Sequence, residues 1–187
     1  MNDSSQEIQP FSTNGFTTLS SIEILTQRAR DLAAPRDDHQ EDKSGTEVLE
    51  FHLSGEKYVI SMEYIKEVAL LKEITYIPGT PPFILGIISL HGSILSIVDL
   101  RIVLGMPPKG LTDFNRIIVL SNNEMTFGVL ADAIDRTRTI NTDQISRPPP
   151  TISGPEAAYL SGVLPGPVMV IDARALLSNP GMILGDD

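Results

Sequence analysis

The chain reads as a mainly β protein: two similar small barrels in tandem, packed together and preceded by a short N-terminal helix. Three observations point there. Beyond residue 46, strand-like runs of four to six residues alternate with Gly/Pro turns, a texture of small barrels rather than of a βαβ sheet. A pattern of strand, turn, strand, Asp and short helix occurs twice. I-V-D-L-R-I-V-L at 97–104 returns as V-I-D-A-R-A-L-L at 170–177, 73 residues later, and Phe83-Ile-Leu-Gly returns as Tyr159-Leu-Ser-Gly. Two copies are too few for a solenoid. A unit of about 70 residues is marginal alone, so the two should share a core, and a groove between them is a natural binding place.

The elements follow in order. Ser20 and Glu23 have capping-box spacing, Ile22, Leu25, Ala29 and Leu32 follow helical spacing, and Pro35 stops the run. This predicts an amphipathic helix over about 20–34, marginal alone in water. Residues 35–46 are polar and acidic and read as a flexible linker. In E-V-L-E-F-H-L, Leu49, Phe51 and Leu53 share one strand face, while Glu50 and His52 take the other, polar face. After the S-G-E-K turn, Tyr58-Val-Ile resumes as strand. Met62, Ile65 and Val68 lie at helical spacing, which predicts one or two helical turns, and A-D-A-I-D-R-T-R-T-I parallels them in the second copy. P-G-T-P-P and R-P-P-P break the chain. Two strands flank His91-Gly92. Asp99 and Asp172 each follow a strand and open a short helical run, so N-capping accounts for both. Arg101 and Arg174 read as local ion-pair or surface residues.

Composition narrows the function. With 41% hydrophobic and 20% charged residues, the chain suits one globular unit or two small ones. It has no cysteine, which removes disulfides, thiolate metal sites and cysteine nucleophiles. No run approaches the roughly 18 apolar residues of a membrane span, and the acidic start M-N-D-S-S-Q-E is unlike a signal peptide. A cytoplasmic protein is expected. The net charge is −10, with 8 acids against 4 bases in residues 1–46 and 16 against 10 beyond them. Both parts would repel phosphate, so neither nucleic acid nor direct membrane insertion is expected.

No reactive constellation emerges. Of three histidines, His39 lies in the acidic linker, His52 on a strand's polar face and His91 in a hairpin turn. None has metal-ligand spacing or a carboxylate partner in a known motif. For His91 a solvent-facing turn residue and a partner contact are both open, with catalysis or metal binding the weakest reading. Gly86, Gly92, Gly128 and Gly162 do not make a nucleotide-binding loop. No catalytic residue, metal or cofactor is expected, and a binding module is favoured over an enzyme.

Residues 46–178 resemble the CheW family of chemotaxis coupling adaptors. The resemblance is carried by I-P-G-T-P-P-F-I-L-G-I-I-S-L-H-G-S-I-L-S-I-V-D-L-R at 77–101, with support from Phe51 to Glu67 and from Thr126 to Asp132. It implies two five-stranded SH3-like barrels with interleaved strands over 47–178, an N-terminal extension over 1–46 and a tail over 179–187. It also implies a non-enzymatic scaffold at membrane-associated receptor arrays. The partners would be the regulatory domain of a CheA-type histidine kinase and the cytoplasmic tip of methyl-accepting chemoreceptors, the latter in an apolar groove between barrels. By position, Ile65 and Glu67 fall on groove and receptor-sensitive residues. Gly86 falls on a glycine that lets a partner backbone approach, and Ile134 and Thr137 lie in the equivalent region of the second barrel. Solvated-face or core roles stand beside these. His91 replaces an arginine tied to kinase and receptor coupling. Arginine brings five fixed donors and permanent charge, histidine at most two donors on a titratable ring. With Ser89 and Ser96 also departing from the family pattern, an adaptor of a divergent system, controlling surface motility or gene expression, is the alternative.

Overall fold

The computed structural model describes residues 45–148, 150, 152 and 154–183. The expected helix over 20–34 and most of the acidic linker lie outside them. Ten strands run β1 (Thr46–Leu53), β2 (Glu56–Ser61), β3 (Ile65–Leu70), β4 (Ile84–Leu90), β5 (Ser93–Val98), β6 (Arg116–Ser121), β7 (Thr126–Ala131), β8 (Ala133–Ile140), β9 (Leu160–Leu164) and β10 (Val168–Ile171). Two short helices, α1 (Leu100–Val103) and α2 (Ala173–Leu177), follow β5 and β10.

The strands form two five-stranded sheets, β8-β1-β2-β10-β9 and β3-β6-β7-β5-β4. The orders superimpose position for position, and the twofold repeat of the sequence is real. The leading hairpins are exchanged: β1–β2 joins β8–β10, while β6–β7 joins β3–β5. The chain crosses between sheets after β2, through a 3-10 turn at Met62–Tyr64 capped by Ser61, and again after β7, where Asp132 is the single residue before β8.

Each sheet curls until its edge strands meet. Thr75, beyond β3, bridges Ile87 on β4, and Ser146, beyond β8, bridges Val163 on β9. The repeat extends to the caps. Asp99 N–H donates to Phe83 O at 2.8 Å and Asp172 N–H to Tyr159 O at 2.9 Å. The two aspartates then accept from Arg101 N and Ala175 N as N-caps.

Strand alternation builds three apolar layers. Val48, Val59, Ile140 and Val170 fill the first barrel, and Ile88, Leu95, Ile97 and Ile117 fill the second. The largest cluster lies between the sheets, where Phe51, Leu53, Tyr58 and Ile60 meet Ile118, Leu120, Phe127 and Leu176. Each such side chain contributes about 1.5–3 kcal/mol when fully buried, so the barrels are held to each other as firmly as each is held within. The chain past Ser178, expected to be a tail, still adds Met182 to this cluster.

Two local expectations change. The helical spacing at 62–68 resolves into the 3-10 turn and then strand β3, and its counterpart is strand β8 throughout. Burial along β3 alternates residue by residue, but Val68 falls on the exposed side and Glu67 shares the half-buried side with Ile65, so the apolar residues follow a helix-like spacing that the buried face does not. Glu50 is buried rather than on a solvated face, because Lys57 and Arg138 neutralise it.

Candidate partner-binding site

The β4–β5 hairpin turns through His91 and Gly92, with Leu90 paired to Ser93. Both turn residues have positive φ, 50° and 82°, the signature of a type I′ turn whose twist matches the strands. The turn holds the His91 side chain out from the barrel end, 74% exposed. There His91 Nε2 donates to Glu67 Oε2 at 3.0 Å. A carboxylate only accepts, so the contact assigns a proton to Nε2. The structure thus unites two of the six candidates, 24 residues apart, across the edge strands β3 and β4.

The other candidates are placed as follows. Ile65 begins β3 and Ile134 is the second residue of β8, edge strands of different sheets, and both pack, half-buried, on the inter-sheet cluster. Thr137 lies exposed on β8, opposite Leu49. Gly86 is buried at φ 141°, and a Cβ there would stand 2.3 Å from Thr75 O. The backbone that approaches this glycine is the protein's own, and Gly162 meets Ser146 O at the same 2.3 Å.

A cleft of about 320 Å³ opens at the first barrel, lined by Val48, Ser61, Tyr64, Ile140, Ile145, Val170 and Arg174 among others. Arg174 Nε and Nη2 donate to Tyr64 Oη at 3.3 Å, and this contact raises the arginine's pKa. None of the six candidates lines this cleft.

Two charged networks support the surface strands. Under β8, Glu50 accepts from Lys57 Nζ at 3.0 Å and Arg138 Nε at 2.8 Å. Burial alone would raise its pKa, but the hydrogen bonds and charges of Lys57 and Arg138 outweigh burial and lower it. At the crossover, fully buried Arg101 grips Asp99 through Nε and Nη2, both at 2.8 Å, and reaches Asp132 through Nη1 at 3.3 Å. The sequence placed Arg101 at the surface or in a local pair. The local pair exists, but the side chain is wholly interior, and Asp132 was not foreseen as its partner. The one available signal was a D-x-R sequence directly behind an apolar strand. Among the described residues, no three His, Asp or Glu side chains cluster as metal ligands would.

Paired barrels with a shared core, and surface residues gathered at sheet edges, define a scaffold built to present surfaces. Comparison with known proteins agrees. The family model of the CheW-like domain matches residues 47–180. The chemotaxis protein CheW of Bacillus subtilis is 27% identical over 142 residues, covering 74% of this chain and 91% of that protein. CheW of Klebsiella aerogenes is 32% identical over 147 residues, covering 76% and 88%. The crystal structure of the scaffolding protein TtCheW from Thermoanaerobacter tengcongensis superimposes with a TM-score of 0.65 at 28% identity, covering 78% of this chain and 96% of that one. The chain belongs to the CheW-like family, and its function is that of a chemotaxis coupling adaptor. Among the described residues, no helix is long and apolar enough to cross a membrane.

Proposed function

We infer that this protein joins the regulatory domain of a CheA-type histidine kinase to the cytoplasmic tip of methyl-accepting chemoreceptors. It acts at membrane-associated arrays without catalysing a reaction. The observation that carries this reading is the meeting of Glu67 and His91 at 3.0 Å on an exposed barrel end. The CheW resemblance marks both as partner-sensitive, and their union makes one continuous patch from two distant segments. Ile65 enters from the same strand as Glu67. Ile134 and Thr137 lie on β8 of the other sheet and would form a separate contact point, whereas Gly86 acts by holding the Thr75 segment in place. Polar groups at such a rim set specificity and encounter, with apolar neighbours supplying most of the affinity.

The test is direct binding. Purified protein is titrated by calorimetry with the cognate kinase regulatory domain and, separately, with a receptor-tip peptide, while ATP turnover is followed. Saturable binding to both without turnover is expected. Absence of binding to either would overturn the coupling role.

A further inference from the structure

The sequence repeat puts the same Asp-x-Arg in both barrels, and the fold disposes of the two arginines differently. Asp99 and Arg101 of the second barrel correspond to Asp172 and Arg174 of the first. Arg101 is fully buried, closes on Asp99 through Nε and Nη2 at 2.8 Å, and reaches Asp132 at 3.3 Å. Asp132 stands at the crossover from β7 to β8. Arg174 is exposed, and its Nε and Nη2 donate instead to the hydroxyl of Tyr64, at the equivalent crossover from β2 to β3. Asp172 keeps only the cap bond from Ala175 N. One arginine thus holds carboxylates on both sides, and its counterpart holds a phenol. Arg174 and Tyr64 stand at the cleft of about 320 Å³, against an apolar wall of Val48, Ile140, Ile145 and Val170.

We propose that this cleft binds a peptide segment of a partner protein in which Glu or Asp adjoins an aliphatic residue, the carboxylate docking on Arg174 and Tyr64 and the aliphatic side chain on the apolar wall. The incoming carboxylate takes the place that Asp132 fills in the second barrel. The donors for it are in position. Tyr64 Oη accepts from both arginine nitrogens, which leaves its own O–H to donate, and Arg174 Nη1 makes no bond among the described residues. An arginine fork matches the two oxygens of a carboxylate. The cleft lies at the small end of ligand sites and has its cation at an exposed rim, which suits one side chain of a peptide rather than an enclosed molecule. Among the described residues no carboxylate forms an ion pair with Arg174, although Glu63 and Asp172 are close enough to act on its charge. They offset part of the attraction, and an exposed pair contributes little, so the expected Kd is about millimolar. None of the six residues of the coupling reading lines the cleft, and that reading stands or falls without it.

The test titrates two blocked peptides into the full-length chain, acetyl-Ser-Leu-Glu-Leu-Ser-amide and the same peptide with Gln for Glu. The first presents the acid with an aliphatic neighbour on either side. Amide shifts of Tyr64, Thr142, Ser161 and Arg174 are followed by NMR. Saturating shifts at these residues are expected with the Glu peptide, and binding about fivefold weaker with the Gln peptide. Arg174→Gln should abolish that discrimination and leave the unfolding midpoint unchanged, because the side chain is exposed. Tyr64→Phe, which keeps the ring, should reduce the discrimination without removing it. Absence of shifts at the cleft, equal binding of the two peptides, or a discrimination that survives Arg174→Gln overturns the proposal. A further arm uses 3-methylbutanoate, which carries the same two groups without a peptide. Binding as tight as that of the Glu peptide would overturn the assignment to a peptide, and weaker binding supports it.

Discussion

Asp132 Oδ1 lies 3.3 Å from Arg101 Nη1, and that contact ties the two sheets together. Asp132 is the one residue between β7 of the second sheet and β8 of the first. Its Oδ1 also accepts from Asn115 Nδ2 at 3.2 Å, and its Oδ2 accepts from Ser54 N at 2.8 Å and Lys109 Nζ at 3.1 Å. Ser54 turns the β1–β2 hairpin that was exchanged into the first sheet. One carboxylate thus holds the crossover, the exchanged hairpin and the buried arginine.

Asp132→Asn should lower stability by about 2 kcal/mol, the scale of losing charged hydrogen bonds, while Arg101 stays neutralised by Asp99. Burial raises the Asp132 pKa, but the Ser54 amide, Lys109 and Arg101 outweigh it, so the folded value lies below the usual one. A depressed carboxylate pKa stabilises the fold above its unfolded value of about 3.9, and the contribution is lost as pH falls through the folded value. Urea unfolding at about pH 6 and pH 3 should show a smaller acid-induced loss in the variant than in the wild type.

Glu50 makes the same kind of claim for the first barrel. Its side chain is 3% exposed and pairs with Lys57 and Arg138, which reach solvent. Glu50→Gln should cost about 2 kcal/mol, below the usual figure for breaking a buried pair because both cations can rehydrate. Its lowered pKa again places the protection above about pH 4.3, lost on acidification. Thermal unfolding across pH 3–7 would detect it, and an unchanged acid limb would refute it.

How much of this was legible in the sequence can be argued residue by residue. Asp99 and Asp172 were readable as caps because a strand followed by Asp and a short apolar run has few other solutions. His91-Gly92 was readable as a turn because a two-residue hairpin needs positive φ. The hairpin exchange was readable only through the family resemblance, which implies interleaved strands, since period-two alternation shows which face of β1 is apolar but not which strand lies beside it. Glu50 misled for a related reason: the second face of a barrel strand points to the barrel's own interior or rim, and a buried carboxylate there depends on Arg138, 88 residues away. Asp132 met Arg101 only through the crossover, which no local pattern encodes.

Gly86 and Gly162 test the twofold relationship. At each, a Cβ would stand 2.3 Å from a backbone oxygen, of Thr75 and Ser146 respectively. Backbone cannot rotate aside as a side chain can, so alanine at either position should break its seam bridge and destabilise by about 2–4 kcal/mol. Gly92 has φ 82°, and a Cβ there would meet no atom within 4 Å. Gly92→Ala should therefore cost only backbone strain, about 1 kcal/mol. Denaturant midpoints for the three variants would establish the order, and equal losses at all three would contradict it.

Glu67→Ala separates contact from scaffold. Glu67 is 31% and His91 74% exposed, and an exposed pair contributes about 0–1 kcal/mol to stability. Its removal should leave the unfolding midpoint nearly unchanged. Loss of a contact that contributes about 1 kcal/mol to binding lowers affinity about fivefold, and that is the loss expected for the receptor-tip peptide. Ile134→Ala provides the contrast, because that side chain packs on the inter-sheet cluster and should lower stability and affinity together. Calorimetric titration beside thermal unfolding distinguishes the two patterns. If Glu67→Ala lost stability in step with affinity, the pair would be a structural stitch and the contact surface would have to be sought elsewhere.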